Sequence, residues 1–159
     1  MYLLDSDVLI NAKNAHYAFD LVPGFWRWLE AAHLDGRVYT VEKVVDEVMG
    51  RGDELSEWMG RQPDTFKLKP SAAQAGSFQQ VSTWASQAKY RQGAADVFLD
   101  AADYYLVAQA LALGYTVVTH EKPAQVSQKR IKIPDACNAL RIPCVSLFDM
   151  LKTEHATLS

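Results

Sequence analysis

Short apolar runs alternate with helical segments along this chain, and this alternation constrains the fold more than any other feature. The first run covers residues 2–4 and ends at Asp5. Further runs cover residues 37–40, 115–119 and 143–146, and residues 66–68 are expected to be extended. Strands separated by helices form a parallel sheet with helices on both faces. The sequence therefore predicts an α/β fold, a three-layer α/β/α sandwich with a central, mostly parallel sheet.

The helical segments are recognised by apolar spacing and by the residues at their ends. The pattern is strongest at residues 100–113, where the helix is expected to end at Gly114. Asp53 is a suitable N-cap for a helix at residues 54–59. A polar loop is expected at residues 122–132. Other helices are predicted at residues 25–32, 41–49, 71–90, 135–140 and 147–152.

The composition is that of a globular domain. A chain of 159 residues, 49% of them hydrophobic, suits one domain over residues 1–159 with one core. No apolar run is long enough to span a bilayer, and no basic segment precedes Asp5, so neither a membrane span nor a secretory signal is expected. Cys137 and Cys144 are predicted to be reduced thiols of a cytoplasmic protein. The net charge of −3 is unlike that of a DNA-coating protein but is compatible with a nuclease.

Carboxylates follow two of the predicted strands. Asp5 and Asp7 come directly after the first strand, and Glu121 lies just beyond the strand that ends at Thr119. Because parallel strands end at one edge of the sheet, we expect these side chains to converge. Mg²⁺ prefers carboxylate and water oxygens, and a pair of such ions about 3.5–4 Å apart assists phosphodiester hydrolysis. The pattern therefore predicts a magnesium site.

Four further carboxylates and one hydroxyl add to this acidic set. Glu47 lies among valines in a predicted helix, and Asp100 and Asp103 share a face of the strong helix. The Thr119 hydroxyl is placed to orient a water or a ligand carboxylate. Asp135 opens the next helix. Asp7, Asp100 and Asp135 are also good N-cap candidates, so for these three residues metal contact and capping both stay open.

Taken together, the ordered motifs resemble the PIN-domain ribonuclease family, the fold of VapC-type toxins. The resemblance covers nearly the whole chain, and its segments are Asp5-Ser6-Asp7, Asp46-Glu47-Val48, the helix 103–110 and Val118-Thr119-His120-Glu121. The closer likeness is to a PIN-like subgroup, the domain of unknown function DUF4411, carried by segments 12–14, 23–26, 119–121 and 133–137. Glu121 departs from the family pattern, since an Asp is usual there.

The resemblance implies a single PIN-like domain with Mg²⁺- or Mn²⁺-dependent endoribonuclease activity. It further implies the toxin of a type II toxin–antitoxin pair, held inactive by a cognate antitoxin. Water, rather than a protein nucleophile, would attack the phosphorus. By this likeness the metal-binding and catalytic residues are Asp5, Glu47, Asp103 and Glu121. Asp7, Asp100, Thr119 and Asp135 are accessory candidates because of their positions near this set.

Basic residues near the acidic positions are candidates for RNA contact. Lys13 follows the first acidic pair, and the loop after Glu121 carries Lys122, Lys129 and Arg130. Such residues suit phosphate positioning, although a solvated loop would have the same composition. An exposed aromatic face on residues 25–29 would suit a homodimer or an antitoxin, and we expect a homodimer.

Two other classes remain open. Asp5-Ser6-Asp7-Val8-Leu9 also resembles the opening motif of haloacid dehalogenase-type phosphatases, in which the first Asp is the nucleophile. That family needs a later Lys and an acidic pair at a strand end, and no GD-x-x-x-D pattern follows Thr119. The second alternative is a non-catalytic PIN-like module that binds RNA or a partner.

Overall fold

The computed structural model describes residues 1–87, 89–124 and 129–159. In these residues the strands form one parallel sheet in the order β3-β2-β1-β4-β5. The strands are β1 (Tyr2–Leu4), β2 (Val38–Val41), β3 (Lys67–Leu68), β4 (Thr116–Val118) and β5 (Cys144–Val145). The predicted α/β sandwich is therefore confirmed, and the described sheet is parallel throughout.

Helices connect the strands and cover both faces of the sheet. They are α1 (Ser6–Asn11), α2 (Pro23–Leu34), α3 (Glu42–Met49), α4 (Glu54–Arg61), α5 (Ala75–Gln87), α6 (Gln92–Asp100), α7 (Ala102–Leu113), α8 (Ile133–Ala139) and α9 (Leu147–Thr153). A π-helical turn, Ala12–His16, extends α1. Short 3₁₀ turns at Asp64–Phe66 and Ala72–Gln74 precede β3 and α5. Among the described residues no helix is long and apolar enough to cross a membrane.

The central strand β1 has apolar side chains on both faces. Leu4 packs into the cluster formed with α1, α2, α4 and α9, whereas Leu3 packs into the cluster formed with α5, α6, α7 and α8. Val118 and Val117 of β4 divide between the same two clusters. Burial on both faces explains why these strands read as continuous apolar runs rather than as alternating ones.

The aromatic residues of α2 belong to the core. Phe25 and Trp26 are buried, and the Trp26 indole N–H donates to the Tyr17 carbonyl oxygen. Leu29 is buried as well, and Trp28 packs against the core with the Arg37 guanidinium over its ring. The exposed aromatic face that would suit a homodimer or an antitoxin is therefore not formed by residues 25–29, because the helix turns these side chains towards the core.

Several predicted boundaries also need correction. The segment 71–90 is a 3₁₀ turn followed by α5, which ends at Gln87, and residue 88 lies outside the described residues. The sequence did not predict α6, and Gly93 lies inside that helix. The prediction of a loop at residues 122–132 falls partly on residues 125–128, which are also outside the described part. Gly114 does end α7, at a positive φ of 70°, as expected.

Candidate metal centre

Asp5 lies at the carboxyl end of β1, where the ladder passes into α1. Its backbone N–H donates to the Val118 carbonyl oxygen at 3.0 Å, which fixes the residue between two strand ends. The side chain makes no capping bond to α1; instead Oδ2 accepts a hydrogen bond from the Thr119 hydroxyl at 2.9 Å. Only 3% of Asp5 is exposed. A buried carboxylate at this edge of a parallel sheet is in the place where such folds bind ligands.

A cavity of about 350 Å³ opens beside Asp5 at this edge. We call it the acidic cavity, since five carboxylates from four segments line it: Asp5, Asp7, Glu47, Asp103 and Glu121. All four predicted catalytic residues are therefore brought together, with Asp7 of the accessory set. Asp7 and Glu47 are exposed on α1 and α3, respectively. Asp103 is half-buried in the first turn of α7.

Glu121 is held by three backbone and side-chain bonds. Its Oε2 accepts from the Ile133 backbone N–H at 2.8 Å, and its Oε1 accepts from the Arg130 guanidinium at 3.2 Å. Its own N–H donates to the Thr119 hydroxyl at 3.1 Å. The side chain is 8% exposed. The Thr119 hydroxyl therefore orients a carboxylate, as predicted, and it links Asp5 to Glu121.

The electrostatics of the cavity are dominated by burial and carboxylate repulsion. Burial and, after it, the charge of Asp103 raise the pKa of Asp5 to about 7; the Thr119 hydrogen bond opposes this rise, and Asp7 and Glu121 add smaller increases to it. Burial also raises the pKa of Asp103 to about 6, with contributions from Glu121 and Glu47 that Arg130 partly offsets. A cation among these groups would favour their ionised forms.

The donor set fits a hard divalent cation, because every candidate ligand is a carboxylate oxygen. The side chains are not gathered around one point, however. Among the described residues no three His, Cys, Asp or Glu side chains form a ready metal-binding group. Two of the Glu121 interactions occupy its oxygens with Arg130 and Ile133, so cation binding would require these carboxylates to close in.

Five of the accessory and basic candidates lie outside the lining of the acidic cavity: Thr119 and Lys122, which line a neighbouring cavity, and Asp100, Asp135 and Lys13. Asp100 is the exposed last residue of α6, whereas α7 begins at Ala102 with Ala101 as its N-cap, so Asp100 neither caps the helix nor shares a face with Asp103. Asp135 is the third residue of α8, whose N-cap is Lys132, so Asp135 does not cap this helix. Its carboxylate accepts a hydrogen bond from the Ala124 backbone N–H at 3.1 Å. Lys13 pairs with Asp53 at 3.0 Å.

Of the predictions that Asp7 and Asp53 cap helices, only the one for Asp53 is confirmed. Asp7 is the second residue of α1 and does not occupy its N-cap position, which belongs to Asp5. Asp53 caps α4, as predicted, and forms a capping box with Ser56. The pKa of Asp53 lies well below its usual range, because hydrogen bonds from Lys13, the Ser56 backbone and Arg51 outweigh the opposing effect of burial.

The remaining basic candidates lie near the carboxylates. Lys129 and Arg130 line the acidic cavity, and Arg130 is ion-paired with Glu121. Lys122 is exposed and lines a neighbouring cavity.

The two cysteines are free thiols: Cys137 is buried and Cys144 is half-buried. The two thiols share a hydrogen bond that raises the pKa of Cys137 and lowers that of Cys144.

The sequence did not predict the apolar wall of the acidic cavity. This wall comes from α6, through Ala94, Val97, Phe98 and Ala101. Val97 is 65% exposed, so an aliphatic side chain stands in water opposite the carboxylates. The sequence feature that could have revealed this wall is the spacing of these four residues at positions i, i+3, i+4 and i+7, which places them on one helical face.

The fold and the cavity define an α/β sandwich protein with a carboxylate cluster at the carboxyl edge of its parallel sheet. Residues 2–158 match the model of the domain of unknown function DUF4411, so the chain belongs to that family. No curated protein matches the chain. No solved structure matches it either.

Proposed function

We propose that this protein is a PIN-like, metal-dependent endoribonuclease that hydrolyses RNA phosphodiester bonds. The observation that carries the proposal is the meeting of Asp5, Glu47, Asp103 and Glu121, from four separated segments of the chain, in one cavity. Burial and the repulsion among such groups raise the pKa values of Asp5 and Asp103, and perturbed carboxylates in one cavity are typical of functional sites. These residues would hold Mg²⁺ or Mn²⁺.

The bound cation would supply charge neutralisation at the phosphate and activation of a water. The residues of the chain supply the arrangement. Thr119 fixes the orientation of Asp5 through a 2.9 Å hydrogen bond. Lys129 and Arg130 bring positive charge to the same cavity, where a phosphate of RNA would otherwise be repelled by the carboxylates.

The first experiment compares RNA cleavage by the wild type with that by Asp5→Asn and Asp103→Asn in Mg²⁺ or Mn²⁺. Each substitution removes one charged oxygen ligand while keeping the side-chain shape, so each is expected to reduce cleavage at least a hundredfold with the circular dichroism spectrum unchanged. Asp100→Asn is the matched control, since Asp100 is exposed on α6, and it should cleave as the wild type does. Normal cleavage by Asp5→Asn would contradict the proposal.

The same assay separates the alternatives. Release of phosphate from a small phosphomonoester, with an aspartyl-phosphate trapped at Asp5, would indicate the phosphatase class instead. Binding of RNA without cleavage in either metal would indicate a non-catalytic module.

We further propose that the nuclease is the toxin of a type II pair, inhibited by an antitoxin, and that it acts as a homodimer. Induced expression of the wild type should arrest growth, expression of Asp103→Asn should not, and co-expression of the product of a neighbouring gene should relieve the arrest. Normal growth with the active enzyme present would contradict the toxin role and leave the nuclease activity in place. Light scattering on the purified protein tests the dimer.

A further inference from the structure

A second cavity, of about 600 Å³, lies beside the acidic cavity at the carboxyl ends of β4 and β5. We call it the β4–β5 cavity and define it by His120, Lys122, Asn138, Ser146 and Ile142. Glu121 lines both cavities, so the two adjoin along the segment that leaves β4. A ligand chain with its reacting atom among the carboxylates can therefore continue into the β4–β5 cavity.

The volume and the chemistry of this cavity suit a nucleotide. Pockets for small molecules and cofactors measure roughly 300–1,000 Å³. The Asn138 amide carries both a donor and an acceptor, and it is exposed on α8. Pro123 and Ile142 supply apolar surface, on which an unstacked base packs while its edge is read by polar groups.

Lys122 is available to bind a phosphate, whereas two of the other residues predicted to contact RNA already form ion pairs within the protein. Lys13 binds Asp53 at 3.0 Å and Arg130 binds Glu121 at 3.2 Å. No hydrogen bond or ion pair joins Lys122 to another residue in the described part of the chain.

Two carboxylates also line this cavity, and both are already bonded. The Asp149 carboxylate accepts from the Ser146 hydroxyl at 2.8 Å. Glu121 directs its oxygens to Arg130 and to the Ile133 N–H. Their charges still oppose an anion, so the phosphate belongs near Lys122 and the base near Asn138.

We propose that the β4–β5 cavity binds the nucleotide next to the scissile phosphate, with Lys122 at its phosphate and Asn138 at its base. The proposal rests on the proposed ribonuclease function, because it takes the acidic cavity as the place of cleavage. It assigns to Lys122 and Asn138 a role in substrate binding rather than in the chemical step.

The first test measures binding of a short single-stranded RNA in chelator, where no cleavage intervenes. Lys122→Ala is expected to weaken binding about tenfold and to reduce the slope of log Kobs against log salt by about 0.7, the value for one phosphate contact on a single strand. Lys152→Ala is the matched control, since Lys152 is an exposed lysine in the last turn of α9. Equal affinity of Lys122→Ala and Lys152→Ala would overturn the proposal.

The second test reports the place of binding. Cys144 lines the β4–β5 cavity and is half-buried, whereas Cys137 is fully buried. Saturating RNA is expected to slow alkylation of Cys144 by iodoacetamide at least threefold, as measured by mass spectrometry. At an RNA concentration that saturates the wild type but not Lys122→Ala, the variant should lose much of this protection. An unchanged rate of alkylation with bound RNA would overturn the proposal.

The two proposals fail in different ways. If the wild type cleaves RNA but Lys122→Ala binds normally, the β4–β5 cavity is not a subsite and the nuclease function stands. If the wild type binds RNA with protection of Cys144 but never cleaves, the RNA site is supported and the nuclease function is wrong. Absence of RNA binding by the wild type overturns both.

Discussion

At the scale of single residues, Thr119 connects two carboxylate residues of the acidic cavity without being a carboxylate itself. Its hydroxyl donates to Asp5 and accepts from the Glu121 N–H. Because the hydrogen bond favours the ionised form of Asp5, it lowers a pKa that burial and Asp103 raise.

Thr119→Val removes this hydroxyl at nearly constant volume. We expect the pKa of Asp5 to rise above about 7, so that less of the carboxylate is ionised at neutral pH and Mn²⁺ affinity falls several-fold. The lost hydrogen bonds should also cost about 1–3 kcal/mol of unfolding free energy, since a buried acceptor loses its donor. Calorimetric titration with Mn²⁺ and urea denaturation measure the two effects.

Thr40→Val is the matched control for this prediction. Thr40 is fully buried on β2. Its hydroxyl donates to the carbonyl oxygen of Leu4, the residue before Asp5, at 2.7 Å. Its substitution should lower stability to a similar extent and leave Mn²⁺ affinity unchanged. Equal losses of affinity in both variants would show that the effect of Thr119 is structural only.

The residues of the site were predictable from their order along the chain, but their partners were not. Asp5 and Glu121 were expected to converge because both follow strands, and Glu47 and Asp103 joined them through the family resemblance. The pairing of Lys13 with Asp53 joins residues 40 positions apart and depends on how α4 packs against the turn after α1. No local pattern in the sequence encodes such a contact.

At the scale of secondary structure, the break between α6 and α7 decides which carboxylate enters the cavity. The two helices meet at Ala101, whose φ of −94° and ψ of 164° are extended. Asp103 follows the break and lines the cavity, whereas Asp100 precedes it and stays exposed. The sequence does not predict this break, because Ala101 and Ala102 are good helix formers. Tertiary packing overrides their helix propensity.

The prediction at this scale concerns the start of α2. Gly24 packs against the backbone of Leu158 so closely that a Cβ atom would overlap the Leu158 carbonyl group. We expect Gly24→Ala to lower the unfolding free energy by about 1–3 kcal/mol, because the backbone of the C-terminal residues has to move. Urea denaturation checks this value.

Gly76 provides the comparison, since it is the second residue of α5 as Gly24 is of α2. A Cβ at Gly76 meets no atom within 4 Å. Gly76→Ala should therefore raise the unfolding free energy by about 0.4–1 kcal/mol through reduced chain entropy in the unfolded state. A gain of similar size in Gly24→Ala would show that the C-terminal residues do not hold α2.

At the scale of the whole molecule, the carboxylates make stability depend on pH in an unusual direction. The pKa values of Asp5 and Asp103 are about 7 and about 6 in the folded protein, above the value of about 3.9 in an unfolded chain. Between about pH 4 and pH 7 the folded state therefore binds more protons than the unfolded state. The unfolding free energy decreases as the pH rises through this window.

We expect the melting temperature in chelator to fall between pH 5 and pH 8, and to fall less in Asp5→Asn, which should melt higher than the wild type at pH 8. His120 contributes in the opposite sense, because burial and the charge of His16 lower its pKa, but it is present in both proteins and cancels in the comparison. Parallel pH profiles of the two proteins would refute this assignment of the pH dependence to Asp5.

The alternation of strands and helices was enough to predict the fold class. It was not enough to predict the whole lining of the acidic cavity. The position of Glu121 after β4 was evident, whereas α6 was missed because Gly93 reads as a helix end and the helix begins just before it at Gln92. The apolar wall of the cavity belongs to that helix. Its place opposite the carboxylates depends on the packing of α6 against its sequence neighbours α5 and α7, and the local sequence pattern does not specify that packing.

The central position of β1 has a consequence for biosynthesis. The hydrogen bond from Thr119 to Asp5 spans 114 residues, and Leu4 pairs with Val118 across a similar separation. At about 5–20 residues per second, a ribosome needs roughly 6–23 seconds to make the chain between these partners. During that time β1 lacks its β4 neighbour and the carboxylates cannot meet, so a nascent or truncated chain that stops before β4 carries no assembled site. Whatever chemistry the cavity performs is therefore withheld until β4 has been synthesised.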